Sequence, residues 1–387
     1  MKEKLMNGLL AFAAKLQTQR HLSAIRNSFT TLFPMIIIGS LCTLFSNIVC
    51  NTNPNYISLA NLPGMAWLGV LKPMFDAANY GTMNFMAIGI VFLIAQKLGA
   101  SYECNDGILP LVAIGSYISL CTTSATTVHN VCEESVTINN VLPVNFTNAG
   151  GLFVGMVVSM AATEIYVRLV KTGKLGIKMP DSVPSNVANA FNSLIPSVVA
   201  VVGISGFGLL FKSVTGMTVA DAIIKFIQTP LAHVLTGLPG YLLLIFMINF
   251  LWCLGIHGTQ ALQAVYSPIM LAALGENEAA FSAGAAIPNI ICTPFISNFS
   301  TITGAGVTGG LLIAIILFCK REDYRTISKL AIPCAIFNIN EPLIFGLPIV
   351  MNPIMAIPFM IAPLVTNVFA YFMTSIGFCS RLIGSVP

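Results

Sequence analysis

Charge is what this sequence has least of. Only 8% of its 387 residues are Asp, Glu, Lys or Arg and 56% are hydrophobic, whereas a soluble domain carries about 25% charged residues. So few charges cannot cover a water-soluble fold, and the chain reads as an integral membrane protein. Acids are scarcest late in the chain, where Glu341 is the single one after Asp323. The net charge of +4 is small and dispersed, which excludes a basic face for nucleic acid. The ten cysteines stand singly, with no Cys-x-x-Cys pair and no Cys/His cluster at ligand spacing. They read as small core residues, and no metal site or disulfide framework is expected. No Walker loop, nucleophile elbow or kinase motif occurs, so neither ATP-driven transport by this chain alone nor a cofactor is supported.

What is present in abundance is long apolar sequence, with 31 Gly, 21 Pro and 25 Phe. The runs are continuous rather than alternating, which excludes a β-barrel and favours helices that pack closely and break often. A spanning helix needs about 20 mainly apolar residues. The expected fold is an all-α polytopic membrane protein of about ten helices, with re-entrant hairpins and interfacial amphipathic helices. Met1–Phe29 is read as an amphipathic helix on the inner surface, since Leu5, Leu9, Phe12 and Leu16 recur at helical spacing and basic residues continue past them.

Spans are then predicted at 30–49, 81–95, 108–121, 150–170, 194–211, 240–256, 307–318 and 354–378. The stretch 51–79 reads as an external loop with short interfacial pieces. Residues 122–148 hold Glu133 and Glu134 but no Lys or Arg and should lie outside, whereas Arg168, Lys171, Lys174 and Lys178 mark a cytoplasmic loop. Residues 218–235 are amphipathic and interfacial. Lys320, Arg321, Arg325 and Lys329 must also face the cytoplasm, so one further crossing is needed after His257. The short run 260–274 is the candidate, and 289–303 reads as a partly buried or re-entrant loop.

The stretch from Phe337 to Pro348 sets a carboxylate, two amides, two prolines and a glycine between apolar runs. A buried ionisable side chain costs several kcal/mol and normally faces a cavity or partner. Pro342 removes an amide proton and disfavours a helical Glu341, so a broken helix is predicted there. Transporters build sites from such breaks, because irregular backbone at membrane depth must be satisfied by protein or by a wet cavity. A solvated Glu in a surface loop is the plainer alternative.

His257 is the second candidate, flanked by Gly255 and Gly258. A neutral imidazole both donates and accepts, which suits a hydroxyl-rich ligand, though a histidine satisfied at a helix end fits the spacing equally. Trp252 could lay its indole on a sugar ring or anchor the helix at the interface. Gly304-Ala305-Gly306 could expose amides to a ligand or serve close helix packing.

Asn338-Ile339-Asn340-Glu341-Pro342, Ile344-Phe345-Gly346-Leu347-Pro348 and Asn352-Pro353 together resemble the membrane component, IIC, of the bacterial sugar phosphotransferase system (PTS), in its lactose/cellobiose/diacetylchitobiose branch. Met179-Pro180-Asp181-Ser182-Val183-Pro184, Gly255-Ile256-His257-Gly258 and Pro294-Phe295 leading to Gly304-x-Gly306-x-Thr308 extend the likeness along nearly the whole chain. The resemblance implies a homodimer in the bacterial inner membrane with a cytoplasmic amino terminus. It implies an amino-terminal dimerisation domain, 1–213, and a transport domain, 214–387, that swings a β-linked disaccharide inward. A separate IIB protein carrying phosphocysteine would phosphorylate the arriving sugar, so no catalytic residue is expected here. By position, Glu341 and His257 would bond sugar hydroxyls, and Trp252, Asn340, Asn338 and Gly304 would line the site.

Two departures stand out. Thr303-Gly304-Ala305-Gly306-Val307-Thr308 replaces the Gly-Gly-Ser-Gly-Ala-Thr common in the family. The family also continues past Arg381–Pro387 into a further loop and helix. A proton-coupled secondary sugar transporter and a truncated, non-transporting homologue are the alternative readings.

Overall fold

The computed structural model describes residues 18–54, 57–128, 135–177, 184–336, 338, 340–347, 349–350 and 352–384. Most of the expected amino-terminal surface helix, the Met179–Val183 motif, and His129 with Glu133 and Glu134 lie outside the described residues. The chain forms two compact units, one spanning Ser23–Pro230 and the other Leu231–Ser385.

In the first unit, α1 (Arg20–Leu44) passes into a π-helical turn, Phe45–Val49. Residues 20–29, expected on the membrane surface, instead open this spanning helix, and Ala24, Ile25, Ser28 and Phe29 are buried on it. The stretch after Pro63 is also more regular than expected. The helix α2 (Lys72–Thr82) leads through a short 3-10 turn into α3 (Met86–Ser101). Pro73 sits in the first turn of α2, where its missing amide costs nothing. Polar groups join α1 to α2: Asn79 donates to Gly39 O (3.1 Å) and to Thr43 Oγ1 (2.6 Å). Lys72 donates to Ser46 Oγ at 2.6 Å and pairs with Asp76 at 3.3 Å.

Three further helices, α4 (Leu109–Leu120), α5 (Leu152–Lys171) and α6 (Ser185–Thr215), complete a core around Tyr117, Tyr166, Val91 and Val154. Backbones approach closely, as small residues allow inside a membrane. A Cβ added at Gly155 would stand 2.9 Å from Val91, and one at Gly208 would stand 2.3 Å from Leu120. Ser159 Oγ on α5 donates to Val91 O on α3 at 2.7 Å. Glu164, low on α5, accepts from Tyr102 Oη and, at 3.2 Å, from Arg168. The polar stretch 122–148 is not all loop, for Ser124–Val128 pairs antiparallel with Ser135–Asn139. Its Thr, Val and Ile favour extended backbone.

The second unit contains α7 (Leu238–Cys253), α8 (Gly258–Ser282), α9 (Gly309–Phe318), α10 (Glu322–Ile336), the short α11 (Glu341–Gly346) and α12 (Pro353–Ser375). The run expected at 260–274 is the front of α8, which is 25 residues long. The apolar pattern stops early because α8 ends in polar residues that hold the following loop. Asn277 Nδ2 donates to Asn289 O (2.9 Å) and Leu382 O (2.8 Å), its Oδ1 accepts from Asn289 N (2.9 Å), and Asn289 Nδ2 reaches Glu276 at 2.7 Å. Arg381 Nη1 adds a bond to Pro288 O at 2.7 Å, so residues 381–382 are fastened to this loop.

A helical turn at Thr293–Phe295 continues as a π-helical turn, Ile296–Ser300. The run Thr293–Val307 is bent by 50° against α9, the geometry of a broken span or a re-entrant loop. A buried polar knot ties this hairpin to α7 and α12. Tyr241 Oη meets Ser300 Oγ and lies 2.9 Å from Asn367 Oδ1, while Ser300 Oγ lies 2.8 Å from the same atom.

Among the described residues, five helices are long and apolar enough to cross a membrane, or up to seven if each of two bent helix pairs is one span. Large apolar side chains on their outward faces, such as Phe207, Leu209 and Leu210 on α6 and Val365, Phe369 and Phe372 on α12, are exposed. Such a surface suits lipid rather than water.

Candidate functional site

The site candidates cluster at two places in the second unit. The first is the junction of α7 and α8. Trp252 is 3% exposed, near the end of α7, and its ring stands 4.3 Å from that of His257, inclined at 45°. Gly255, with φ +79, turns the chain between them, a conformation glycine adopts without strain. His257 caps α8, its Nδ1 accepting from Gln260 N at 3.3 Å. An accepting Nδ1 places the proton of the neutral ring on Nε2. The helix-end histidine is therefore real, and its capping bond fixes the ring beside the indole. Trp252 Nε1 is buried and has no hydrogen-bond partner among the described residues. A buried orphan donor costs about 1–3 kcal/mol, and Trp252 Nε1 is one of eight buried, unmatched side-chain polar atoms among the described residues.

The second place is the turn from Thr303 to Thr308. Its φ angles are left-handed at Thr303 (59°), Gly304 (94°), Gly306 (76°) and Val307 (50°). For a β-branched residue such as Val307 this is a genuine outlier, and strained backbone of this kind persists only where neighbours hold it. Asn340, 2% exposed, donates through Nδ2 to Ala305 O (2.6 Å) and Thr308 Oγ1 (2.8 Å). Asn338 Oδ1 accepts from Thr303 N at 2.7 Å. Gly304 lies directly against Asn340, where an added Cβ would come within 2.2 Å of Asn340 Cγ.

The structure thus brings Gly304, Asn338 and Asn340 together, and separately pairs Trp252 with His257. Both amide protons of Asn340 are spent on the protein, so that group grips the turn. Glu341 is the first residue of α11, with Asn340 as the cap and Pro342 in the first turn. The helix break therefore falls before Glu341, not at it. Proline in a first turn forfeits no helical bond, which outweighs its bias against a helical preceding residue. The side chain of Glu341 lies outside the described residues.

Sequence reasoning missed Asn249. It sits within the apolar α7, is 2% exposed, and accepts from Gly306 N at 2.9 Å through Oδ1. A lone amide in a membrane-length apolar run was the available signal.

A polytopic helical bundle whose polar groups gather at broken helices is the architecture of a membrane transporter. The chain matches the family "Phosphotransferase system, EIIC" over residues 26–363. It belongs to that family and is a sugar-specific permease component of the system.

It is 32% identical to the oligo-beta-mannoside-specific EIIC component of Bacillus subtilis (strain 168), over 97% of this chain and 82% of that protein. It is 28% identical to the cellobiose-specific EIIC component of Geobacillus stearothermophilus, over 90% of this chain and 76% of that protein. The crystal structure of ChbC, the IIC component of the N,N'-diacetylchitobiose-specific phosphotransferase system, superimposes with a TM-score of 0.89. It is 32% identical, and the match covers 99% of this chain and 87% of that one. EIIC components carry a sugar substrate and work with a IIB component.

Proposed function

We propose that this chain binds a β-linked disaccharide of the cellobiose, diacetylchitobiose or lactose class and delivers it across the membrane to a separate phospho-IIB protein. The observation that carries this is the clustering of polar and aromatic side chains at helix breaks, Trp252 against His257 at the α7–α8 junction and Asn338 and Asn340 on the 303–308 turn. An aromatic face supplies a platform for a sugar ring, and adjacent donors and acceptors select hydroxyls, since leaving them unpaired is costly. Glu341 would accept from hydroxyls near the one that is phosphorylated. Gly304, Asn338 and Asn340 would form the wall facing Trp252, the two asparagines by holding the turn. The names of relatives that handle oligo-β-mannosides and cellobiose support the β-linked class.

The same reading makes the amino-terminal region, up to about residue 213, the dimerisation domain of a homodimer and the remainder the moving transport domain. The amino terminus then faces the cytoplasm, with the basic residues around 168–178 and 320–329 on the same side. Phosphoryl chemistry belongs to IIB; the residues here bind and orient.

The test is calorimetric titration of the purified protein in lipid nanodiscs with cellobiose, diacetylchitobiose and lactose, with maltose as the α-linked control. Saturable binding of at least one β-linked sugar, lost on Glu341→Gln, is expected. In proteoliposomes, sugar should accumulate only with phospho-IIB. Accumulation that follows an imposed proton gradient without phosphorylation would replace this reading with proton-coupled transport.

A further inference from the structure

We infer that Asn249 is a positioning residue of the sugar site, acting through the Gly306 amide to set the 303–308 turn against the helix that carries Trp252. This inference rests on the sugar-site reading above and deepens it.

A buried amide inside an apolar helix is expensive unless its donor and acceptor are both used. Asn249 uses both: Nδ2 donates to Ile245 O of its own helix at 2.8 Å, and Oδ1 accepts from Gly306 N at 2.9 Å. The bond leaving α7 thus ends on a strained backbone turn rather than on a neighbouring helix. Gly306 has little room to move, since an added Cβ would stand 2.3 Å from the Phe359 ring. Asn249 precedes Trp252 by three residues, and positions three apart share a helix face. The turn is therefore docked on the face of α7 that carries the indole.

The same turn is also held by Asn338 at Thr303 and by Asn340 at Ala305 and Thr308. Asn340 is also the cap directly before Glu341. The turn is thus the common reference for both halves of the site: Asn249 registers Trp252 and His257 to it, and the other two asparagines register Glu341 to it. Four left-handed residues strain this turn; Thr303 and Thr308 close it from within, by Thr308 Oγ1 to Thr303 O (3.0 Å) and Gly309 N to Thr303 Oγ1 (2.6 Å), and the three asparagines fix it to its neighbours.

The experiment uses the full chain in nanodiscs. A Trp67→Phe background leaves Trp252 as the single indole, since the sequence has two tryptophans. Asn249→Leu keeps the volume and removes the acceptor. Asn249→Asp restores it, because a neutral carboxyl has one donor and an acceptor and so matches the bonds Asn249 makes. The Leu variant is expected to bind the disaccharide at least tenfold more weakly with altered Trp252 emission, and the Asp variant to recover to within threefold. Combined with Trp252→Phe, which should weaken binding by only about tenfold, Asn249→Leu should lose less than the product of the two single losses, because misregistration matters less once the indole contact is gone.

Parent-like affinity of Asn249→Leu, in a protein where Glu341→Gln has lost binding, overturns the inference and leaves the sugar-site reading intact. Strictly multiplicative losses do the same. If the parent binds no disaccharide, the reading itself falls and the inference with it. Should the Leu variant not fold, the exposed Asn338→Ala decides: weaker binding with an unchanged unfolding temperature supports the frame, and unchanged binding overturns it.

Discussion

Trp252 and His257 stand ring against ring, their centroids 4.3 Å apart, with the indole nitrogen buried and unmatched by any acceptor among the described residues. One ring is held by the capping bond from Gln260, the other by burial at the end of α7. The pair is thus set in place before any ligand arrives. Preorganised groups bind more tightly because little freedom remains to be lost.

The first expectation concerns that indole. Trp252→Phe keeps an aromatic face and deletes the N–H, so disaccharide affinity should fall by about tenfold, the worth of one hydrogen bond. The unfolding temperature without sugar should move by only a few degrees, as no protein bond is lost. Calorimetry and thermal unfolding on the same preparation check both parts; unchanged affinity would remove the N–H from the site.

Gly304→Ala is expected to damage stability and binding together. The residue has φ +94 and its new methyl would meet Asn340 at 2.2 Å, a combination costing roughly 2 kcal/mol or more. Displacing Asn340 also releases Ala305 O and Thr308. A lower unfolding temperature in detergent and weaker sugar binding are the readouts.

Tyr241→Phe should cost about 1–2 kcal/mol, since Asn367 Oδ1 loses one of its two hydroxyl partners inside a buried network. Ser300→Ala removes the other. Because the groups share partners, the double variant should lose less than the sum. Unfolding of the two single variants and the double variant measures the coupling, and strictly additive losses would mean that the three groups act independently.

Arg321 and Asp323 give a pH-dependent expectation. The hydrogen bond from Arg321 holds the Asp323 carboxyl below its ordinary range, and both groups are exposed. A depressed carboxyl contributes stability that is fully present above the unfolded pKa and is lost as pH falls through the folded one. Hydrogen-exchange protection at the start of α10, taken relative to the intrinsic rate at each pH, should therefore stay constant around neutrality and fall only in acid, since Asp323 lies in the first turn. Asp323→Asn should abolish that acid limb.

Much of this was legible in the chain. Continuous apolar runs marked the spans, and the Gly255–Gly258 bracket marked the end of α7 because glycine there permits the turn that apolar residues would resist. The Asn338–Pro342 stretch marked a break because a proline and two amides do not continue an apolar helix. Other features were not legible. Pro342 predicts an unwound Glu341, yet its position in the first turn of α11 makes it a starter. Glu276, Asn277 and Glu278 ended the apolar pattern of α8 early, because polar residues can prolong a helix when a loop returns to meet them. Asn249 shows in the sequence only as a lone amide in an apolar run, which says nothing of the strained backbone it grips. That turn is assembled from segments far apart in sequence, and no local pattern encodes such a meeting.

The knot of Tyr241, Ser300 and Asn367 has a mechanical corollary. Three oxygens in mutual contact share two hydroxyl protons between them, and burial leaves no water to take over if one of them slides away. Shearing any one segment past the others would strand a proton or a lone pair in a dry interior. α7, the hairpin that precedes α9, and α12 are therefore obliged to travel as one piece whenever cargo moves, and flexibility has to be sought in the joints around them.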